Sequence, residues 1–263
     1  MSYQDYECMD LRGVILRIEK SSIFDGDGLR TVVFMKGCPL RCQWCSTPES
    51  HKKEIQTTPD QTMTYGREMT AEDVMVEVRK DIPFYFHSGG GMTVSGGEIL
   101  TQAKFVQYLV GRACWEGIDT CIETSFYGSW EKIAAILRCT DTAFVDLKLM
   151  DRENHRRYTG VDNAVILENL KKAGGNPGRT RLIIRRPLIP GVNDSREELT
   201  ALGQFLAELP AVDHLQLLPY HRLGTDTYRK LGMTYQLPHI DVPTEEYMQH
   251  CAEVAGQYVK TLL

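Results

Sequence analysis

The sequence has no apolar run that approaches the length of a membrane-spanning helix. Its first residues, Met1-Ser2-Tyr3-Gln4-Asp5-Tyr6-Glu7, lack the basic and apolar regions of an export signal. Both absences lead to the expectation of a soluble, cytoplasmic protein with no membrane partner. An excess of positive charge is missing too: 30 Lys and Arg stand against 35 Asp and Glu, a net charge of -5. No global basic field is available to hold a phosphate backbone, so nucleic acid is not the expected substrate. Without an export signal the eight cysteines should stay reduced, which argues against a disulfide framework and for metal binding. Cys8, Cys114, Cys121, Cys139 and Cys251 are scattered, the last four in apolar contexts that suit small buried hydrophobes. Only Cys38, Cys42 and Cys45 cluster.

At 263 residues, 42% hydrophobic and 25% charged, the chain has room for one large α/β barrel or two modest domains. No short repeat or low-complexity tract is present. Strand signals fall at Thr31 to Met35, Met92 to Ser95, Thr120 to Glu123, Ala143 to Leu147, Arg181 to Arg185 and His214 to Leu218. Between them lie helical patterns, such as Phe105, Leu109 and Ala113, or Leu199, Leu202, Phe205, Leu206 and Leu209. Thr70 and Asp162 read as helix starts and Gly174 as a stop. About six β-α units predict a mainly parallel sheet, curled or open. The unusual polar residues then follow the strands in turn: the cysteine loop, Gly96-Gly97-Glu98, Thr124-Ser125, Lys148, Pro190-Gly191 and Tyr220-His221. In β/α barrels the C-terminal strand ends carry the site, so these segments are expected at one mouth.

Gly37-Cys38-Pro39-Leu40-Arg41-Cys42-Gln43-Trp44-Cys45 has the spacing Cys-x3-Cys-x2-Cys. Three thiolates can hold three corners of a cubane iron-sulfur cluster and leave one iron open to another ligand. The competing reading is a structural zinc site with His51 as fourth ligand, in a zinc-stabilised interaction module. In Ser88 to Glu98 the separation of Gly91 and Gly96 suits a phosphate loop, but Gly97-Glu98 stands where that loop needs Lys and Ser or Thr. Small residues followed by an acid suit a cationic ligand bearing an amino group; a tight turn explains the glycines equally well. Asp25-Gly26-Asp27-Gly28-Leu29-Arg30 opens like a calcium loop but lacks the later acidic ligands, and reads as a turn. Asp146 and Lys148 alternate along a strand and share a face, where a structural ion pair rivals ligand binding. His221 reads equally well as a core histidine.

In combination, Ser22 to Thr31, the cysteine loop, Ser95-Gly96-Gly97-Glu98, Asp146-Leu147-Lys148, Arg185 with Pro190-Gly191, and Leu218-Pro219-Tyr220-His221 resemble the glycyl-radical enzyme activating enzymes of the radical S-adenosylmethionine (SAM) superfamily. The resemblance runs over nearly the whole chain. It implies a single radical SAM domain over residues 1–263, built as a partial (β/α)6 TIM-like barrel, with the cluster loop at 37–46. It implies one 4Fe-4S cluster on Cys38, Cys42 and Cys45, with SAM chelating the open iron and no catalytic residue beyond cluster and SAM. Trp44 matches the aromatic position beside the adenine, and Gly97, with Gly96 and Glu98, the methionine-binding strand. Asp146, Lys148, Arg185 and His221 match positions that contact or place SAM, with Leu147 and Ser125 at the same strand ends. In that family a glycine of a partner glycyl-radical enzyme loses a hydrogen atom, and a flavodoxin or ferredoxin-type donor supplies the electron. Glu123 stands where pyruvate formate-lyase activators carry aspartate, which leaves a monovalent cation site open. Many lyase and dehydratase activators insert further cysteine-rich cluster motifs; Ser46 to Glu68 contains no cysteine, so no ferredoxin-like insertion is expected. The alternative within the superfamily is another small radical SAM enzyme, acting on a small molecule or on anaerobic ribonucleotide reductase.

Overall fold

The computed structural model describes residues 11–175 and 178–263. Cys8 and the N-terminal segment read above for an export signal lie outside the described residues. The chain divides into two compact units. The first takes the described residues up to Pro39 with Glu49–Thr124 and Gly128–Ala143; the second takes Leu40–Pro48, Ser125–Tyr127 and Phe144–Leu263.

The first unit contains β1 (Arg12–Ser22), β2 (Arg30–Met35), the short β3 (Gln56–Thr57) and β4 (Thr64–Tyr65), β5 (Arg67–Thr70), α1 (Ala71–Arg79), α2 (Ile82–Ser88), β6 (Gly91–Gly96), α3 (Ala103–Trp115), β7 (Asp119–Thr124) and α4 (Trp130–Leu137). Its main strands run in the order β5-β1-β2-β6-β7. β1 is antiparallel to both β2 and β5, whereas β2, β6 and β7 are parallel. β2 and β6 are buried along nearly their whole length, as strands covered on both faces are; β2 carries the apolar run Val32 to Met35, whereas β6 alternates apolar Met92 and Val94 with buried Thr93 and Ser95. Thr70 caps α1 in a reciprocal box with Asp73, and Phe105, Leu109 and Ala113 form the buried face of α3.

The second unit contains most of β8 (Thr142–Asp146), then α5 (Arg152–Thr159), α6 (Ala164–Gly174), β9 (Arg181–Leu188), α7 (Arg196–Ala207), β10 (Val212–Pro219), α8 (Thr225–Lys230), α9 (Glu245–Gly256) and β11 (Thr261–Leu262). The strands lie in the order β8-β9-β10-β11, with β9, β10 and β11 parallel. Leu199, Leu202 and Leu206 are the buried stripe of α7. α6 ends on Gly174, but it starts one residue after the expected place. Asn163 precedes the helix, and Asp162 serves it by accepting the Ala164 N–H at 3.0 Å.

All six expected strands are present, as β2, β6, β7, β8, β9 and β10, so the α/β class and the mainly parallel pairing hold. Among the described residues no helix is long and apolar enough to cross a membrane.

Candidate functional site

In the first unit the residues that leave β2 meet those that leave β6. The parallel register sets Met35 opposite Gly96. Gly96 has φ +119°, and a Cβ there would fall 2.3 Å from the Met35 backbone nitrogen. A Cβ on Gly97 would fall 2.4 Å from the Gly37 carbonyl oxygen and 3.1 Å from Cys38 Cβ. The double glycine is therefore a steric requirement for close approach of two backbones, one of which carries Cys38. The neck of the cysteine loop is tied by Gly37 N–H to Ser50 O at 2.7 Å and Cys38 N–H to His51 O at 3.1 Å. His51 thus meets Cys38 through its backbone.

Glu98 is buried and turned inward: its Oε1 accepts from Thr124 Oγ1 at 2.6 Å and from Leu100 N–H at 3.1 Å. That carboxylate holds the ends of β6 and β7 together. Glu123, half-buried, accepts from Ser95 Oγ at 2.5 Å. The Asp25 to Arg30 segment is the turn its chemistry suggested. Gly28, at φ +69°, presses on Gly90, and Arg30 is 1% exposed. The Arg30 guanidinium reaches Asp119 at 2.6 Å, Met92 O at 2.8 Å and Thr93 at 3.0 Å.

In the second unit Cys42 and Trp44 are buried and Cys45 is half-buried. Cys45 N–H donates to Cys42 O at 3.0 Å, a tight turn that holds the two cysteines on one short arc. The Trp44 ring lies 6.4 Å from that of Tyr158. Asp146, the last residue of β8, and Lys148, two residues past the end of that strand rather than on it as expected, form an ion pair with 2.9 Å between Nζ and Oδ2. Burial pushes the Cys42 thiol up to about 12, with Lys148 opposing. Burial also works to lower the Lys148 ammonium, but Asp146 and then Cys42 outweigh it and hold the group above the ordinary lysine value. The Lys148 charge, paired with Asp146, opposes the rise at Cys42 and so works in favour of thiolate, without outweighing burial. Leu147 is in the core; its N–H donates to Arg185 O at 3.0 Å. The Arg185 guanidinium stacks 3.3 Å over the Phe144 ring and donates to Gln216 at 2.9 Å. His221 is exposed just past β10, its Nδ1 3.4 Å from Leu223 N, and is not a core histidine. Ser125 is buried, its Oγ accepting Tyr127 N–H at 3.3 Å.

Three supporting residues, Phe126, Asn169 and Tyr158, escape any reading of motifs. Phe126 is buried with φ +58°, a conformation costly for a bulky residue, and Asn169 fixes it by donating to its carbonyl at 3.0 Å. The available signal was an asparagine on the apolar face of α6, between Ile166 and Leu170. Tyr158 had none, since its role depends on where α5 ends.

The donor chemistry fits an iron-sulfur cluster: three thiols on one loop, one beside a fixed cation, with a glycine cradle against the first. Among the described residues no three His, Cys, Asp or Glu side chains lie close enough to share one metal ion; the thiolates of a cubane bind separate irons.

Residues 32–202 match the model of the Radical SAM superfamily. The chain is 36% identical over 299 aligned residues to a (2S)-3-sulfopropanediol dehydratase activating enzyme of Klebsiella oxytoca, covering 94% of each chain. It is 33% identical over 245 residues to a pyruvate formate-lyase-activating enzyme of Staphylococcus epidermidis, covering 90% of this chain and 92% of that one. Among solved structures it resembles a domain of a pyruvate-formate lyase-activating enzyme from Bacteroides vulgatus, at 28% identity and a TM-score of 0.55, over 66% of this chain and 98% of that one.

Proposed function

The chain belongs to the radical SAM superfamily, and on that premise we propose that it is an activating enzyme that removes a hydrogen atom from a backbone glycine of a partner glycyl-radical enzyme, of dehydratase, lyase or formate-lyase type. The observation that carries this reading is near full-length similarity to activating enzymes of two different glycyl-radical classes.

Cys38, Cys42 and Cys45 would hold one 4Fe-4S cluster, and its open iron would take SAM through the methionine amino and carboxylate groups. When bound, cluster and SAM supply the electron transfer and the hydrogen-abstracting chemistry. The chain's own residues position them. Gly96 and Gly97 permit the backbone approach that a side chain would block. Lys148, held by Asp146, stabilises the Cys42 thiolate. Trp44, Arg185, His221 and the strand-end residue Ser125 supply the flat, cationic and polar surfaces that an adenosyl group and a methionine carboxylate require, and Leu147 acts from the core, through its N–H on the Arg185 carbonyl. Glu98 acts from the interior, by fixing β6. Glu123, with Ser95, keeps an anionic group at the end of β7 that suits a monovalent cation.

We further assign the whole chain to one radical SAM domain with a single cluster. The alignment to the dehydratase activator spans more positions than this chain possesses, so that relative carries insertions this chain lacks, in keeping with the cysteine-free segment from Ser46 to Glu68. A cytoplasmic location and a flavodoxin or ferredoxin-type electron donor complete the reading.

The test is anaerobic incubation of the reduced protein and SAM with a panel of glycyl-radical enzymes and, separately, with small-molecule candidates. Formation of 5′-deoxyadenosine in stoichiometric step with one protein partner supports the reading. Catalytic turnover of a small molecule with no protein radical opposes it, and so does a colourless protein that carries zinc in place of iron.

A further inference from the structure

The last four carbonyls of an α-helix have no partner within it and must find one elsewhere. At the end of α5, Gly160, at φ +82°, turns the chain and its N–H takes the Arg156 carbonyl at 2.9 Å. The next three carbonyls all go to the cysteine loop. Arg157 O accepts Gln43 Nε2 at 3.1 Å, Tyr158 O accepts Gln43 N–H at 3.0 Å, and Thr159 O accepts Arg41 N–H at 2.6 Å. Arg41 and Gln43 are the neighbours of Cys42 on either side. The peptide N–H groups of both flanking residues are thereby committed to α5.

A buried pair of side chains sits at the same helix end. His155 and Thr159 are both 0% exposed. His155 Nδ1 lies 2.7 Å from Val161 O and 3.0 Å from Thr159 Oγ1, and that hydroxyl also reaches His155 O at 2.7 Å. A carbonyl can only accept, so Nδ1 carries the proton. The ring thus staples residue 161 back onto the last turn of α5, across the glycine bend. His155 Nε2 is buried with no partner among the described residues, so Nδ1 is the ring's polar anchor.

From this geometry we infer that His155 is a positioning residue: with Thr159 it aims the carbonyls of α5 at Arg41 and Gln43, and so withholds two hydrogen-bond donors from the sulfur of Cys42 and from a cluster bound there. Hydrogen bonds to cluster sulfurs tune the reduction potential, and each added donor stabilises the more negative, reduced state. A cluster that must deliver an electron to a sulfonium needs a low potential. The inference rests on the proposed cluster at Cys42, but the staple itself does not.

The experiment compares the anaerobically reconstituted holoenzyme with His155→Ala, His155→Asn and Thr159→Val. The Asn side-chain N–H can take the place of Nδ1–H, and valine keeps the threonine volume without its hydroxyl. Two quantities are read: amide hydrogen exchange across residues 40–46, and the cluster midpoint potential by EPR-monitored titration. We expect exchange at Arg41 and Gln43 to quicken tenfold or more in His155→Ala and Thr159→Val, with a more positive potential, and both to return toward the parent in His155→Asn. Should His155→Ala not fold, Thr159→Val carries the decision. Unchanged exchange in a folded variant overturns the staple. Faster exchange with an unchanged potential overturns its link to the sulfur. A parent that takes up no iron removes the cluster reading instead, while the exchange result still decides the staple.

Discussion

Glu98 N–H donates to the Gly37 carbonyl at 2.8 Å, and a Cβ on the intervening Gly97 would stand 2.4 Å from that same oxygen. The chain that carries Cys38 and the chain that leaves β6 are thus locked at a distance that excludes any side chain. Gly97→Val must push one backbone away from the other, which costs about 1–3 kcal/mol as overpacking does. We expect the variant to fold, with a lowered thermal midpoint, and SAM affinity of the reduced protein to fall tenfold or more. Calorimetric titration beside a thermal melt checks both; parental affinity would mean that this cradle does not face the ligand.

Asp146 is the carboxylate partner of Lys148, and the lysine side chain is only 12% exposed. Asp146→Asn leaves that ammonium without its counter-charge. The expected loss is about 1–2 kcal/mol, below the full cost for a buried pair because Asp146 is itself a third exposed. The double variant Asp146→Asn, Lys148→Met should be more stable than Asp146→Asn alone. Urea unfolding of the parent, Asp146→Asn, Lys148→Met and the double variant completes the cycle, and strictly additive effects would deny the pairing.

Cys38→Ala, Cys42→Ala and Cys45→Ala should each lose most of the iron, against about four irons per chain in the parent. Cys121→Ala and Cys251→Ala, which remove buried thiols in core positions, should keep it. Chelation of iron from the parent should abolish SAM cleavage, and reconstitution should restore it. Iron and sulfide analysis reads all of these, and a count near eight would show a second cluster.

Arg30 places one planar guanidinium against Thr93, Met92 O and Asp119 from a fully buried position. Arg30→Met leaves Met92 O and Thr93 without this donor and should cost about 2–3 kcal/mol, below the full cost for a buried pair because Asp119 is itself 42% exposed. Arg30→Lys should recover little of that, because a single ammonium cannot span three diverging partners. Denaturant midpoints decide it; full recovery by lysine would reduce Arg30 to a point charge.

The parts of this architecture legible in the sequence are those that depend on local order. β2 stands out through its apolar run Val32 to Met35, β6 through its β-branched Thr93 and Val94 between glycines, and Thr70 because its capping partner is three residues away. β1 was not legible: only its first half is buried, and Arg17, Glu19 and Lys20 break its alternation. The site divides in the same way. The spacing of three cysteines and the Asp146–Lys148 alternation survive in the linear sequence. The inward turn of Glu98 does not, because Thr124 lies 26 residues on. Nor does the grip of α5 on Arg41 and Gln43, more than a hundred residues apart in the chain.

The central claim is that this chain makes a radical on a protein glycine. Its most direct test is the EPR spectrum of the reduced protein mixed without oxygen with SAM and glycyl-radical enzymes from its own source. Glycine is chemically suited, since its lack of a Cβ lets the loop that bears it enter a narrow opening. The account predicts a protein-based doublet on one partner that collapses when the glycine α-hydrogens are replaced by deuterium. A full set of partners that stays silent, while SAM is cleaved and a small molecule is consumed catalytically, would contradict it.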